Sequence, residues 1–317
     1  MPPRLARLLA VIIAVALVAG AFVLRGAIAG DDEGGSGGGG GSSAPFRVAC
    51  DEDLGVGCEA LERLEGVGEV TMLDAADALE QMGEGRPPFD AWLTLDPLPQ
   101  ILDVAREQDD SAPVADGDAE RVASSALALL AFSDVECPAP VDWSCVTGLA
   151  RSADVGLPSR TTSVGVLALA AATAGLVGSA DFGIDQARAE EVRTPLEGLL
   201  DSARPTPTAD QVELIITQRG RYSAVVTTTG LADRQADSAQ GRSVLDSRSF
   251  RPSVAIGVVL ASIGTRGPDA VDRLREGVMG DTVQEALADA GWSGPPERSS
   301  GLPDPDVIYA LRLEFDS

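Results

Sequence analysis

Neither histidine nor lysine occurs among the 317 residues, and all 24 basic residues are arginine. These absences remove histidine acid–base catalysis, histidine metal ligation, Schiff-base lysines and a phosphate-loop lysine together. A hydrolase built on Ser163 or Ser125 would have no evident general base, and beyond residue 45 there is no G-x-S-x-G elbow. C-x-x-C spacing is absent too, which argues against a cysteine zinc site. No residue set calls for a cofactor. Aromatics make up only 4% of the chain, so the default place for Trp92, Trp143 and Trp292 is the core. Basic charge is scarce, 24 residues against 49 acidic ones for a net charge of −25. Nucleic acid is therefore a poor partner, because such binding rests on basic side chains meeting phosphates. Acidity of this kind is accounted for by solubility.

What is present begins with an export signal. Arg4 and Arg7 precede an uncharged apolar run from Leu8 to Leu24, which ends at Arg25. Its 17 residues lie at the lower limit for a membrane-spanning helix and just above the usual signal-peptide core. Residues 1–30 are accordingly read as a transmembrane anchor, with a cleaved signal as the alternative, since Ala27-Ile28-Ala29 resembles a cleavage site. Acidic Asp31, Asp32 and Glu33 follow the run, which puts the remainder outside the cytoplasm. The expected location is the cell membrane, single-pass with the C-terminal domain extracytoplasmic, or secretion if the signal is cleaved. Residues 31–45 form a Gly/Ser tether whose r.m.s. reach is on the order of 20 Å. The four cysteines fall in two pairs, each eight residues apart. In an oxidising compartment Cys50–Cys58 and Cys137–Cys145 are the simplest of three connectivities.

From residue 46 strand and helix signals alternate. Strands are expected at Phe46–Cys50, Val67–Leu73, Phe89–Leu95, Arg121–Phe132, Tyr222–Thr229 and Val254–Ser262. Helices are expected at Glu59–Leu64, Asp74–Met82, from Pro97 to about Gln108, Ser144–Ala150, Glu190–Leu200, Asp210–Gln218, Asp269–Gly277, Asp281–Ala290 and Asp306–Leu313. Residues 231–249 are polar and poorly patterned. Alternation with short connections indicates a parallel sheet covered by helices.

One stretch organises the rest. Leu157–Gly178 starts with the turn former Pro158 and the polar residues Ser159 to Ser163. Val164–Val177 then runs without a charge. Hydroxyl residues ahead of an apolar run are N-cap signals, and a helix without a polar face belongs inside a protein. An N-terminus with free N–H groups and a positive dipole also suits an anion.

Four segments, in order, carry a resemblance. FDAWLTLDPLPQIL is similar to the strand-to-loop segment of bacterial extracellular solute-binding proteins with the type II periplasmic binding fold. RVASSALALLAF resembles their crossover strand, LPSRTTSVGVLALAAATAG their hydroxyl-rich loop and helix, and DAVDRLREGVMGDTVQEALADAGW their closing helices. The resemblance spans roughly residues 46–315. It implies an α/β fold of two three-layer lobes joined by two crossover strands, behind the anchor and linker. Lobe 1 would comprise about 46–123 and 230–317, and lobe 2 about 124–229.

It further implies an interlobe cleft for a small polar or anionic ligand, serving transport or sensing. The residues that would contact the ligand are Asp51, Trp92, Asp96, Ser124, Ser125, Thr161, Thr162, Ser163 and Thr228, with Thr227 to Thr229 on the return crossover. Partners would be the ligand, the membrane through the N-terminal helix, and a transporter or another envelope protein. No enzymatic activity is implied. The chain departs from the pattern where a Cys loop closes the first turn, where Ala126 replaces a proline, and across 231–249. Those departures favour an alternative, a scaffold domain that kept the fold and lost the ligand.

Overall fold

Buried β-prone runs separated by short amphipathic segments assemble into one continuous mixed sheet with helices on its faces. A computed structural model describes residues 44–315 except 116–118, 152–154, 203, 207–211, 213–214, 218–220, 239 and 264–267. The expected anchor, cleavage site and most of the tether lie outside the described residues, as does most of the expected helix at 210–218. Within them no helix is long and apolar enough to cross a membrane.

In chain order the first elements are β1 (Phe46–Asp51), a single 3-10 turn (Glu52–Leu54), α1 (Val56–Leu61), β2 (Val67–Leu73) and α2 (Ala75–Gly83). Then come β3 (Ala91–Leu95), α3 (Leu98–Gln108), β4 (Glu120–Phe132), α4 (Trp143–Ala150), β5 (Val155–Pro158) and α5 (Ser163–Val177). The middle of the chain adds α6 (Ile184–Ala187), α7 (Glu190–Ser202), β6 (Arg204–Thr206), β7 (Ala224–Thr228), α8 (Thr229–Asp237) and β8 (Leu245–Ser249). The chain closes with β9 (Ala255–Ser262), α9 (Pro268–Val278), α10 (Asp281–Asp289) and α11 (Pro305–Phe315).

Strand order is β2-β1-β3-β9-β4-β7-β5-β6, with β8 also paired to β4. The 13 residues of β4 make it the link between two halves. Residues 120–126 pair antiparallel with β9, while 127–132 pair with β7 and β8. One half is therefore β2, β1, β3, β9 and the start of β4; the other is the end of β4 with β7, β8, β5 and β6. This is the expected two-lobe α/β arrangement.

Two sequence expectations need correction. The return crossover lies at 250–254, between β8 and β9, and not at Thr227–Thr229, because β7 pairs antiparallel with the second half of β4. The polar segment 231–249, read as unpatterned, holds most of α8 and all of β8. Arg248 of β8 is buried and donates to the carbonyls of Val135 at 2.9 Å and Cys137 at 2.8 Å. A core-directed arginine thus replaced the apolar alternation that would have marked the strand. Pro158, read as a turn residue, ends β5 instead. Both disulfides form as paired from their spacing, with Cα–Cα distances of 5.7 Å for Cys50–Cys58 and 5.9 Å for Cys137–Cys145.

The uncharged helix α5 is buried continuously from Ser163 to Ala174, as its lack of a polar face requires. It packs against α4, α7, α11 and β5. Thr162 is its N-cap, accepting from the Gly165 N–H at 3.1 Å. Gly178 ends it in the left-handed region at φ 84°, where glycine carries no Cβ penalty. Gly165 is required for space: a Cβ there would lie 1.7 Å from the Ser159 carbonyl oxygen, a backbone atom that cannot step aside. Thr162→Ala should therefore cost about 1 kcal/mol, or about 2–4 °C in melting temperature. Gly165→Ala should cost far more and prevent stable folding. Calorimetry of the two variants checks the order, and a Gly165→Ala protein melting with the wild type would contradict it.

Candidate functional site

Parallel pairing sets the site. β1 lies between β2 and β3 and runs parallel to both, with Cys50 opposite Leu93, so Asp51 and Thr94 reach the same sheet edge together. In open α/β sheets that edge, at the carboxyl ends of the strands, is where ligands bind. The Cys50–Cys58 bond ties the end of β1 to α1 and closes the intervening turn. Gly55, at φ 49°, supplies the left-handed step that the turn needs.

Across this edge stands the N-terminus of α5, presented by β5 of the other lobe. The Asp51 side chain is 1% exposed. Its Oδ2 accepts from Thr94 Oγ1 at 2.8 Å, from its own lobe, and from Ser163 Oγ, from the other. Its Oδ1 accepts the Asp53 N–H at 3.1 Å. Asp53 reaches over as well: its Oδ2 accepts the Val164 N–H at 2.7 Å, a carboxylate on a helix N-terminus. Trp292 Nε1 steadies that turn by donating to the Asp53 carbonyl at 3.1 Å. Nearby, the Ala76 N–H at the start of α2 donates to the Thr161 carbonyl at 3.0 Å. Two carboxyl groups of one lobe thus occupy the hydroxyl and N–H donors of the other.

Burial raises the pKa of Asp51, and the Asp53 charge raises it further; the hydrogen bonds from Ser163, Thr94 and the Asp53 N–H act the other way. The net direction is upward, to about 8, because burial outweighs those hydrogen bonds. Glu52 is also raised, by partial burial first and then by Asp53, Asp74 and Asp77. Ser163 and Thr94 are each 0% exposed, so both hydroxyls are positioned donors and neither is an accessible nucleophile.

No protein-family model matches the sequence, and no curated protein does. Solved structures do. The sulfate-binding protein SubI from Mycobacterium tuberculosis matches 86% of this chain and 90% of its own, with a TM-score of 0.52 and 16% identity. The apo ferric ion-binding protein A of Pasteurella haemolytica covers 86% and 95%, at a TM-score of 0.53 and 16% identity. A periplasmic thiamin binding protein covers 86% and 89%, at a TM-score of 0.56 and 14% identity. The chain has the bacterial extracellular solute-binding fold.

Within that fold the expected site residues divide. Asp51 and Ser163 meet at the interlobe contact, with Thr161 beside them through its backbone carbonyl and Thr162 capping the helix within its own lobe. The others are elsewhere or otherwise engaged. Trp92 is 0% exposed in the core. The Asp96 carboxylate accepts the Ser299 N–H at 2.9 Å. The Ser124 hydroxyl donates to the Pro295 carbonyl at 2.6 Å. Asp96 and Ser124 together fasten the segment 294–299 along β4 and β9. Ser125 Oγ accepts the Gly230 N–H at 3.4 Å. Thr228 stands at the cap position of α8, and its buried hydroxyl has no partner among the described residues.

Sequence reasoning missed Asp53 and passed over Thr94 as a named contact. The signal for Asp53 was the run Asp51-Glu52-Asp53 directly after a buried strand, facing a helix whose N-terminal N–H groups needed acceptors.

The acid form of Asp51 is the one the fold prefers. Its contribution to stability is fully present below its ordinary value of 3.8 and is lost as pH rises through about 8. With no histidine in the chain, few other groups titrate between about 5.5 and 8. Urea unfolding midpoints should therefore fall across that window in the wild type and stay level in Asp51→Asn; parallel slopes would contradict the assignment.

Proposed function

We propose that the protein is an extracytoplasmic, membrane-tethered solute-binding protein that takes a small polar ligand into the cleft between its lobes, for transport or sensing. The observation that carries this reading is the convergence of Asp51, Asp53, Thr94, Ser163 and the Val164 N–H, drawn from both lobes, on one point at the carboxyl ends of the parallel strands. The uncharged apolar run behind Arg4 and Arg7 and the fold shared with known binding proteins support it. Asp53 already sits on α5 as an oxyanion would, so an anionic ligand would have to displace it, whereas a neutral polar one could exchange hydrogen bonds with the hydroxyls. A transporter or another envelope protein would be the downstream partner.

A second reading is favoured by a different aspect of the same contact. Because the chain fills its own cleft, with Asp51, Thr94 and Ser163 all inaccessible, the fold could act as a scaffold at the envelope without a ligand. Thermal unfolding of the full chain against sulfate, phosphate, metal ions, sugars, amino acids and polyamines separates the two. A ligand a hundredfold above its Kd should add ~2.7 kcal/mol. The solute-binding reading expects at least one such shift, lost in Ser163→Ala. A panel without a shift would overturn it in favour of the scaffold.

A further inference from the structure

α11 packs against α3 of one lobe as well as α5 and α6 of the other, and the polar contacts between the lobes are of two kinds. Some are exposed. Arg234 of α8 donates to the carbonyls of Ala288, at 2.8 Å, and Asp289 at the end of α10, and its side chain faces solvent. Exposed contacts of this type hold little. The other kind is the buried set around Asp51, where one carboxyl group accepts hydroxyls from both lobes at once. A carboxyl group so enclosed is tolerable while neutral, and its ionisation without a countercharge is costly.

Among the described residues, the partners of the Asp51 carboxyl are Thr94, Ser163 and the Asp53 N–H, and none of these carries a positive charge. The turn after β1 brings Glu52 and Asp53, and α2 brings Asp74 and Asp77, which with Asp53 act on Glu52. β3 brings Thr94, and α5 brings Ser163 and no charged residue along its length. Arg160, two residues before the Thr162 cap, is exposed. Of these acidic groups, Asp53 adds to the cost of a charge on Asp51.

We propose that the Asp51–Ser163 pair, flanked by Asp53 on the Val164 N–H and by Thr161 on the Ala76 N–H, is a proton-operated latch: the lobes stay shut while Asp51 carries its proton and part when it ionises. Parting hydrates Asp51 and leaves Ser163 and the α5 N-terminus open to a guest. The upward shift of Asp51 has the direction such a latch needs. This goes beyond the solute-binding reading and does not depend on it, since the contact is made by the chain's own residues.

Pulsed electron–electron double resonance on the full chain, without added ligand, tests it. Spin labels go on Glu69→Cys in β2 and Glu191→Cys in α7, both exposed and one in each lobe, while the native cysteines stay in their disulfides. At pH 6 the wild type should give one short distance, and a longer population should take over as pH passes about 8. Asp51→Asn should keep the short distance from pH 6 to 10. Distances that do not change with pH in the wild type, or an Asp51→Asn protein that opens as the wild type does, would overturn the latch. Should Asp51→Asn not fold, Ser163→Ala decides: the longer population at pH 6 supports the proposal, and a short distance there overturns it.

Discussion

The carboxyl group of Asp51 accepts hydrogen bonds from Thr94 in its own lobe and Ser163 in the other, inside a contact that water does not reach. Much of the surrounding architecture serves to put it there. Parallel pairing of β1 with β3 aligns Asp51 with Thr94. The Cys50–Cys58 bond fixes the turn that carries Asp53. The Thr162 cap and the absence of a side chain at Gly165 let the chain turn tightly into α5 and aim its first N–H groups at that turn. Hydroxyl and amide donors balance part of the desolvation of Asp51 but not all of it, which is why its pKa is raised.

The long-range order of the fold was legible because it rests on runs of one character. A 13-residue strand that begins in one lobe and ends in the other reads as ERVASSALALLAF, and an uncharged stretch bounded by Thr162 and Gly178 reads as a capped buried helix. β8 was not legible, since a buried arginine stands where alternation would place an apolar residue. The return crossover was misplaced for a related reason: YSAVVTTT is β-prone enough to serve either lobe, and only its pairing with β4 decides which.

The site was partly legible. Asp51 and the Thr-Thr-Ser cap could be named from their places at a strand end and a helix start. What sequence could not supply was whom they meet. Ser124 and Asp96 are the right residue types at strand ends, yet they hold the segment 294–299, more than 170 residues beyond Ser124. Asp53, which sequence reasoning did not name, is the acceptor for α5. Polar side chains at a cleft are drawn either to a guest or to each other, and here the protein's own groups satisfy one another.

Carboxyl groups of one lobe thus cap donors of the other, and the proposed latch passes through the protonation of one of them. The most direct measurement is a carbon-13 NMR titration of the Asp51 carboxyl in the full chain, assigned by loss of its signal in Asp51→Asn. The account predicts a midpoint near 8. A midpoint in the ordinary aspartate range, about 4, would contradict it.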